Sequence, residues 1–456
     1  MIHQYKAKGF NIVLDVYSGS VHLVDDLTYD IIENYDNLEN VEAGLIEKYS
    51  ISQADFDEAL KDIESLKEDG QLFTEDSFKD LAIDVTKKPS FVKALCLNVA
   101  HTCNFTCDYC FAKGGKYHGP DAIMSKEVAK RAIDFLIENS GSHYNLDIDF
   151  FGGEPLMNLD LVKYTVDYAR SLEDKYNKHF NFTLTTNGLL LNDETIDYLN
   201  ENMKNVVLSL DGRPEVHDHF RKTLNGKGSF DIIVPKFQKL VEKRGDKEYY
   251  MRGTYTANNL DFTEDIKTYL DLGFKRTSLE PVVGAGPYEL KDSHLDKLYS
   301  EYEKLADMMI KSIDDDDKFI FYHYMIDLEN GPCIHKRLSG CGSGSEYMAV
   351  TPTGDLYPCH QFVGNPDFVI GDVFKGVENK DLINEFKSCN CFSKEECRSC
   401  WASMYCSGGC AANNYNATGD LNHTHEYSCK LFRKRIEMAL AVKIYEVLKE
   451  NEKLEA

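Results

Sequence analysis

Three cysteines stand within eight residues, Cys103-Asn104-Phe105-Thr106-Cys107-Asp108-Tyr109-Cys110, spaced C-x3-C-x2-C. Thiolates are soft ligands that suit iron–sulfur clusters, zinc or copper. A closed structural zinc site needs four protein ligands, and this loop offers three. Three thiolates on one loop can each hold one iron of a cubane cluster and leave the fourth iron open, so the loop reads as a reactive site. The other cysteines are placed unevenly. Of fourteen, four lie between Cys96 and Cys110 and ten between Cys333 and Cys429, with none in between. The opening Met1-Ile2-His3-Gln4-Tyr5-Lys6 has no apolar core of a signal peptide. The pattern therefore favours at least two metal-rich regions over a disulfide framework.

A length of 456 residues calls for two or three domains. The formal net charge of -25 argues against nonspecific nucleic-acid binding, which relies on Lys and Arg, and against an anionic membrane surface. No run of about 18 apolar residues occurs, so no transmembrane helix is expected. A cytoplasmic protein with no nucleic-acid or membrane partner is the expectation.

Residues 1–85 hold no cysteine and read as a winged-helix-like module. Phe10–Val16 and Ser20–Val24 form two strands around Tyr17-Ser18-Gly19. Asp25 or Asp26 caps a helix carrying Tyr29, Ile31, Ile32 and Tyr35. Helices near 40–49 and 53–68 follow, the latter with Phe56, Leu60, Ile63 and Leu66 at helical spacing. Gln71-Leu72-Phe73-Thr74 is expected to return to the sheet, and an exposed edge strand suits peptide binding by strand addition. Residues 75–92 read as a linker.

From there to residue 312, apolar strands alternate with amphipathic helices. Strands are expected at 94–100, 145–151, 180–185, 205–210, 249–255 and 276–280, with a helix after each. Six such units imply parallel strands, right-handed crossovers and an open or incomplete barrel, with chemistry at the C-terminal strand ends. The cysteine loop follows the first strand at that end. Phe151-Gly152-Gly153-Glu154-Pro155 follows the second, Thr185-Thr186-Asn187-Gly188 the third and Ser209-Leu210-Asp211-Gly212 the fourth, while Arg252 lies in the fifth. The glycines let a ligand approach the backbone. Glu154 offers an anion for an ammonium, Ser209 and Asp211 suit ribose hydroxyls, and Arg252 suits a carboxylate.

The thiol spacing, with Phe105 and Tyr109 between the thiols and Gly152-Gly153-Glu154 after the second strand, resembles the radical S-adenosylmethionine (SAM) superfamily. The resemblance covers about residues 94–310. It implies an α/β fold with a partial (β/α)6 TIM barrel over residues 86–312. Cys103, Cys107 and Cys110 would hold a 4Fe-4S cluster that cleaves SAM to a 5′-deoxyadenosyl radical. Gly152, Gly153 and Glu154 would meet SAM, Glu154 at its amino group. Ser209 and Asp211 would lie near the ribose, Arg252 near the carboxylate and Tyr109 near the adenine.

Beyond the barrel, Asp314-Asp315-Asp316-Asp317 reads as a solvated helix end or loop. Met348-Ala349-Val350 and Asp355-Leu356-Tyr357 look like a hairpin turning at Thr353-Gly354. Cys341, Cys359, Cys397, Cys400, Cys406, Cys410 and Cys429 follow an order that resembles the SPASM domain, here residues 313–456, with a closing amphipathic helix. That resemblance implies two auxiliary 4Fe-4S clusters. Cys341, Cys359 and Cys410 would hold the first, with Cys333 the candidate for its fourth ligand, and Cys397, Cys400, Cys406 and Cys429 the second. Cys389 and Cys391 fall outside the motif, and Cys96 reads as a core residue. In sulfatase-maturating relatives an Asp acting as base follows the cysteine corresponding to Cys359, whereas this chain has His360, a candidate catalytic proton acceptor.

The three-part order resembles a peptide maturase whose first module is a RiPP recognition element (RRE), and details resemble the thioether-forming maturases of SCIFF peptides. The resemblance implies a cysteine-rich precursor peptide, its leader bound by the first module, and an electron donor such as flavodoxin or ferredoxin. Carbon–carbon cross-linking or formylglycine formation is the alternative chemistry. A non-enzymatic zinc or iron–sulfur binding protein is the alternative class.

Overall fold

The computed structural model describes residues 1–78, 91–284, 286–328 and 334–455. Cys333 and most of the expected linker lie outside them.

Among the described residues the N-terminal module is a three-stranded antiparallel sheet with three α-helices. Its strands are β1 (Ile2–Ala7), β2 (Phe10–Asp15) and β3 (Val21–Val24), in the order β1-β2-β3. Asp25 caps the first helix by accepting from the Thr28 amide, and Phe56 and Ile63 of the third helix join Val13, Ile31 and Ile32 in the module's core. One strand lies outside the expectation, and one expected strand does not form. The opening residues form a full strand. Residues 71–74 do not return to the sheet: Phe73 takes a left-handed φ of 55°, and the amides of Gln71 and Leu72 close the third helix on the Leu66 carbonyl. Strand β1 also ties the module to the rest of the chain. His3 stacks on Trp401 at 3.7 Å, and the Tyr5 hydroxyl donates to the Glu437 carbonyl at 3.1 Å.

The barrel strands are β4 (Ala94–His101), β5 (Asn145–Gly152), β6 (His179–Thr186), β7 (Asn205–Ser209), β8 (Tyr249–Tyr255) and β9 (Arg276–Pro281). Each pairs in parallel with its sequence neighbour. A short β10 (Ile320–Phe321) extends the sheet beyond β9. The faces follow the pleat: Leu95, Leu97, Ile148, Phe150, Phe182 and Leu184 are fully buried toward the helices. The helix Lys126–Asn139 answers with Val128, Ala129, Ala132, Ile133 and Leu136 at helical spacing, started by Ser125, which accepts from the Val128 amide.

The sheet does not stop at the expected domain boundary. The free edge of β4 is taken by β11 (Tyr347–Val350) in parallel register, Cys96 opposite Ala349, and β11 turns at Gly354 into β12 (Asp355–Tyr357). The cysteine-rich C-terminal region is thus laid along the first barrel strand rather than set apart from it. The last helix, α1 (Glu426–Glu455), packs along the helix Leu295–Asp314. The acidic run ends that helix at the surface, where the Tyr445 hydroxyl donates to Asp314 and Lys275 pairs with Asp317.

Candidate active site

The cysteine loop lies across the C-terminal ends of four strands and is held at both ends. The Asn187 side chain, after β6, donates to Asn104 Oδ1 at 2.7 Å and reaches Cys103 Sγ at 3.7 Å. At the far end the Tyr109 hydroxyl donates to Asp211, after β7, at 2.5 Å. Residues 105–107 also form a short antiparallel ladder with residues 221–223, which sets Arg221 opposite Cys107. Burial pushes the Cys103 thiol up to about 11 and the Cys107 thiol up to about 12, and the Arg221 guanidinium opposes the second shift.

Glycines seat this loop for an unexpected reason. A Cβ on Gly152 would collide with the Ala100 carbonyl, and one on Gly153 with the Thr102 carbonyl. Gly152 also takes a φ of 128°. The pair makes room for the chain's own backbone, so that the end of β5 passes under the start of the cysteine loop, rather than chiefly for a ligand.

Glu154 follows and is 1% exposed. Its carboxylate accepts from the Leu156 amide at 3.0 Å, the Thr186 hydroxyl at 2.8 Å and the Asn187 amide at 2.8 Å. Burial still lifts it to about 7, although all three hydrogen bonds oppose the rise. A buried carboxylate so poised gains from an arriving ammonium. Ser209 and Arg252 are register partners on β7 and β8. Ser209 is buried, whereas Arg252 is half exposed and meets Glu280 only at 3.9 Å.

Asp211 does not fit the ribose expectation. It has no exposed surface, and both oxygens are engaged by Arg221 at 2.8 and 3.1 Å, by Tyr109 and by the Thr254 amide at 3.0 Å. It is the counter-charge that fixes Arg221 and Tyr109. Arg221 is the residue sequence reading missed, and a three-residue strand gives no periodicity to find it by. The Tyr109 ring sits half buried between Phe220, at 5.1 Å, and the Arg221 guanidinium, at 5.6 Å.

The C-terminal thiols form two groups. The Gly344 amide donates to the Pro358 carbonyl at 2.9 Å, which brings the Cys341 turn to Cys359, and Cys410 starts the helix Ala411–Thr418 beside them. Burial pushes Cys359 up to about 12, and Cys410 and Cys341 add to the rise as like charges. Separately, Cys397, Cys400, Cys406 and Cys429 act on one another, with Cys397 pushed up to about 12 and Cys406 to about 11, mainly by burial. Among the described residues every cysteine is a free thiol. Free thiols gathered in threes and fours supply the soft donors of thiolate-bound clusters, although among the described residues no three such side chains are arranged to hold a single metal ion.

Residues 97–268 match the radical SAM superfamily, and residues 341–401 match the iron-sulfur cluster-binding domain SPASM. The chain is a radical SAM enzyme with a SPASM domain. It is 26% identical, over 73% of its length and 85% of the relative's, to the serine-type anaerobic sulfatase-maturating enzyme of Bacteroides thetaiotaomicron. It is likewise 26% identical, over 70% of its length and 67% of the relative's, to the antilisterial bacteriocin subtilosin biosynthesis protein AlbA of Bacillus subtilis. Its fold is similar to that of Streptococcus suis SuiB bound to the precursor peptide SuiA, with a TM-score of 0.52 at 15% identity, over 94% of this chain and 98% of that one. SAM and iron–sulfur clusters are its cofactors.

Within this radical SAM enzyme, His360 links the two metal regions. It follows Cys359, and its ring lies 5.0 Å from Phe151 and 5.6 Å from Phe111, next to Cys110. Burial, and then Arg252, hold its imidazole down to about 4. Its Nδ1 is 3.2 Å from the Tyr347 hydroxyl, which also meets Cys96. Cys96 is buried on β4, as expected of a core residue, but it belongs to this polar contact. Cys391 is buried near Cys406, and Cys389 donates to the Leu421 carbonyl at 3.2 Å. No described helix is long and apolar enough to cross a membrane.

Proposed function

We propose that the chain is a cytoplasmic peptide maturase that joins cysteine sulfur to carbon, forming thioether cross-links in a cysteine-rich, ribosomally made precursor. The observation that carries this reading is His360, which follows Cys359 and whose ring lies against Phe111 and Phe151 beside the cysteine loop. Support also comes from SuiB, whose structure holds a precursor peptide, and from AlbA, a bacteriocin biosynthesis protein.

Cys103, Cys107 and Cys110 hold the SAM-binding 4Fe-4S cluster. Glu154 would take the SAM amino group, Arg252 its carboxylate and Ser209 a ribose hydroxyl, and Tyr109 would meet the adenine. Cys341, Cys359 and Cys410 hold a first auxiliary 4Fe-4S cluster, with Cys333 the candidate fourth ligand. Cys397, Cys400, Cys406 and Cys429 hold the second. When bound, these groups supply one-electron chemistry: removal of a hydrogen atom from substrate carbon and uptake of the electron left when the C–S bond forms.

The chain's own residues do the rest. In the tautomer whose Nδ1–H donates to Tyr347, the His360 Nε2 keeps a free lone pair, and the neutral imidazole that burial enforces is the form that accepts the substrate thiol proton. Phe111 and Phe151 pack against the His360 ring and hold its position. The precursor leader adds as a strand along β3, which has one strand neighbour among the described residues and presents Leu23 to solvent. A flavodoxin- or ferredoxin-class donor supplies electrons.

The test is anaerobic reaction with the precursor, followed by mass spectrometry. Loss of two hydrogens with one fewer alkylatable thiol per link is expected. An unchanged thiol count with the same mass loss contradicts a thioether and favours a carbon–carbon link.

A further inference from the structure

Three of the four thiols proposed for the second auxiliary cluster stand on one short segment, Cys397 to Cys406. Cys397 lies in the four-residue helix Glu395–Arg398 and Cys406 ends the four-residue helix Ser403–Cys406, with Cys400 and Trp401 between them. The segment's own bonds are local. The Cys400 amide donates to the Cys397 carbonyl at 3.1 Å, and the Cys406 amide to the Ala402 carbonyl at 2.9 Å. Helices this short do not hold themselves in water, because nucleation costs more than one turn of bonds returns. Packing must supply the rest.

That packing comes from the other end of the chain. Leu14 and Val16, at β2 and just after it, are buried in one apolar cluster with Cys397, Met404, Ile436 and Leu440. His3 and Tyr5, two residues apart, share one face of β1. The His3 ring lies flat on Trp401, with centroids 3.7 Å apart and planes 5° from parallel, and Tyr5 stacks on His3 at 5.1 Å. The same strand grips the element that carries the fourth thiol. His3 Nε2 meets Glu437 Oε1 at 3.1 Å, and the Tyr5 hydroxyl donates to the Glu437 carbonyl at 3.1 Å, about two turns after Cys429 on α1. One strand therefore touches both stretches of sequence that supply the second set.

We propose that the N-terminal module completes the second auxiliary site: β1 clamps the Cys397–Cys406 segment to α1 in the arrangement that takes up and keeps the cluster. His3 and Trp401 are positioning residues for the ligand thiols. The peptide-binding module is then a fixed part of the metal region rather than a separate arm, and a leader held on β3 keeps one place relative to the second set. The inference rests on the cluster assignments proposed above.

The test uses the anaerobically reconstituted full chain with His3→Ala, Trp401→Ala and Trp401→Phe. Trp401 is the chain's one tryptophan, so its emission reads the contact directly. His3→Ala is expected to brighten that emission and shift it to longer wavelength, as the indole loses its stacked ring and the cluster beside it. Both Ala variants are expected to hold about eight irons instead of about twelve, and to lose the EPR signal that Cys400→Ala assigns to the second cluster. SAM cleavage should stay near the unmodified rate. Trp401→Phe keeps a ring for His3 and is expected to restore iron and signal. An unmoved emission in His3→Ala, or full iron with an unchanged EPR signal in both Ala variants, overturns this inference alone. Iron lost from all three sets together with SAM cleavage also overturns it, because the effect is then not local. Iron well below about twelve per chain in the unmodified protein overturns the cluster assignments and the inference with them.

Discussion

The loop from Cys103 to Cys110 carries three thiols on eight consecutive residues. Cys341, Cys359 and Cys410 reach each other from three separate segments, by way of a hairpin added to the same sheet. At the loop, the polar groups are settled before any ligand arrives: Glu154 has three donors, Asp211 is saturated, and Asn187 and Tyr109 pin the loop's ends. At the first auxiliary set, Cys341 and Cys410 are exposed, and the ring of His360 faces the loop across two phenylalanines. The difference suggests a division of labour. The rigid rim starts a reaction that is the same for any substrate, and the more open auxiliary site decides what is made.

That contrast can be broken in graded ways. Replacing all three loop thiols with Ala is expected to abolish SAM cleavage and product together and to remove about four irons per chain; product from this variant would end the assignment. His360→Ala is expected to slow cross-linking by about 10²–10⁴-fold, while SAM cleavage in single-turnover assays stays near the unmodified rate. Equal losses in both would place His360 with the loop instead. Tyr347→Phe tests the tautomer it holds and should give a smaller loss of the same kind. Glu154→Gln is expected to weaken SAM binding by about 10–100-fold, the value of about 1.5–3 kcal/mol for a charged hydrogen bond, measured by equilibrium dialysis without precursor. Arg252→Ala should cost about 2–5-fold by the same measurement, since a half-exposed cation contributes about 0.2–1 kcal/mol.

The barrel and the loop were readable because their signals are local. Strand–helix alternation and the spacing of Cys103, Cys107 and Cys110 each lie within one stretch of sequence. What was not readable depends on tertiary pairing. Strand β1 escaped because His3, Gln4 and Lys6 show no apolar alternation, and its partners Trp401 and Glu437 lie some four hundred residues away. The addition of β11 to β4 escaped because nothing in Tyr347–Val350 names its neighbour. Asp211 looked like a ligand for a ribose because its cation, Arg221, sits on a strand too short to leave a pattern. Gly152 and Gly153 were singled out, but the groups they make room for belong to the chain itself.

The most direct test of the division of labour is the variant with Cys341, Cys359 and Cys410 all changed to Ala, with SAM cleavage and precursor cross-linking measured in one reaction. The account predicts that 5′-deoxyadenosine still forms at a rate close to that of the unmodified enzyme while no thioether is detected. Thioether formed at the normal rate, or cleavage lost together with the cross-link, would contradict it.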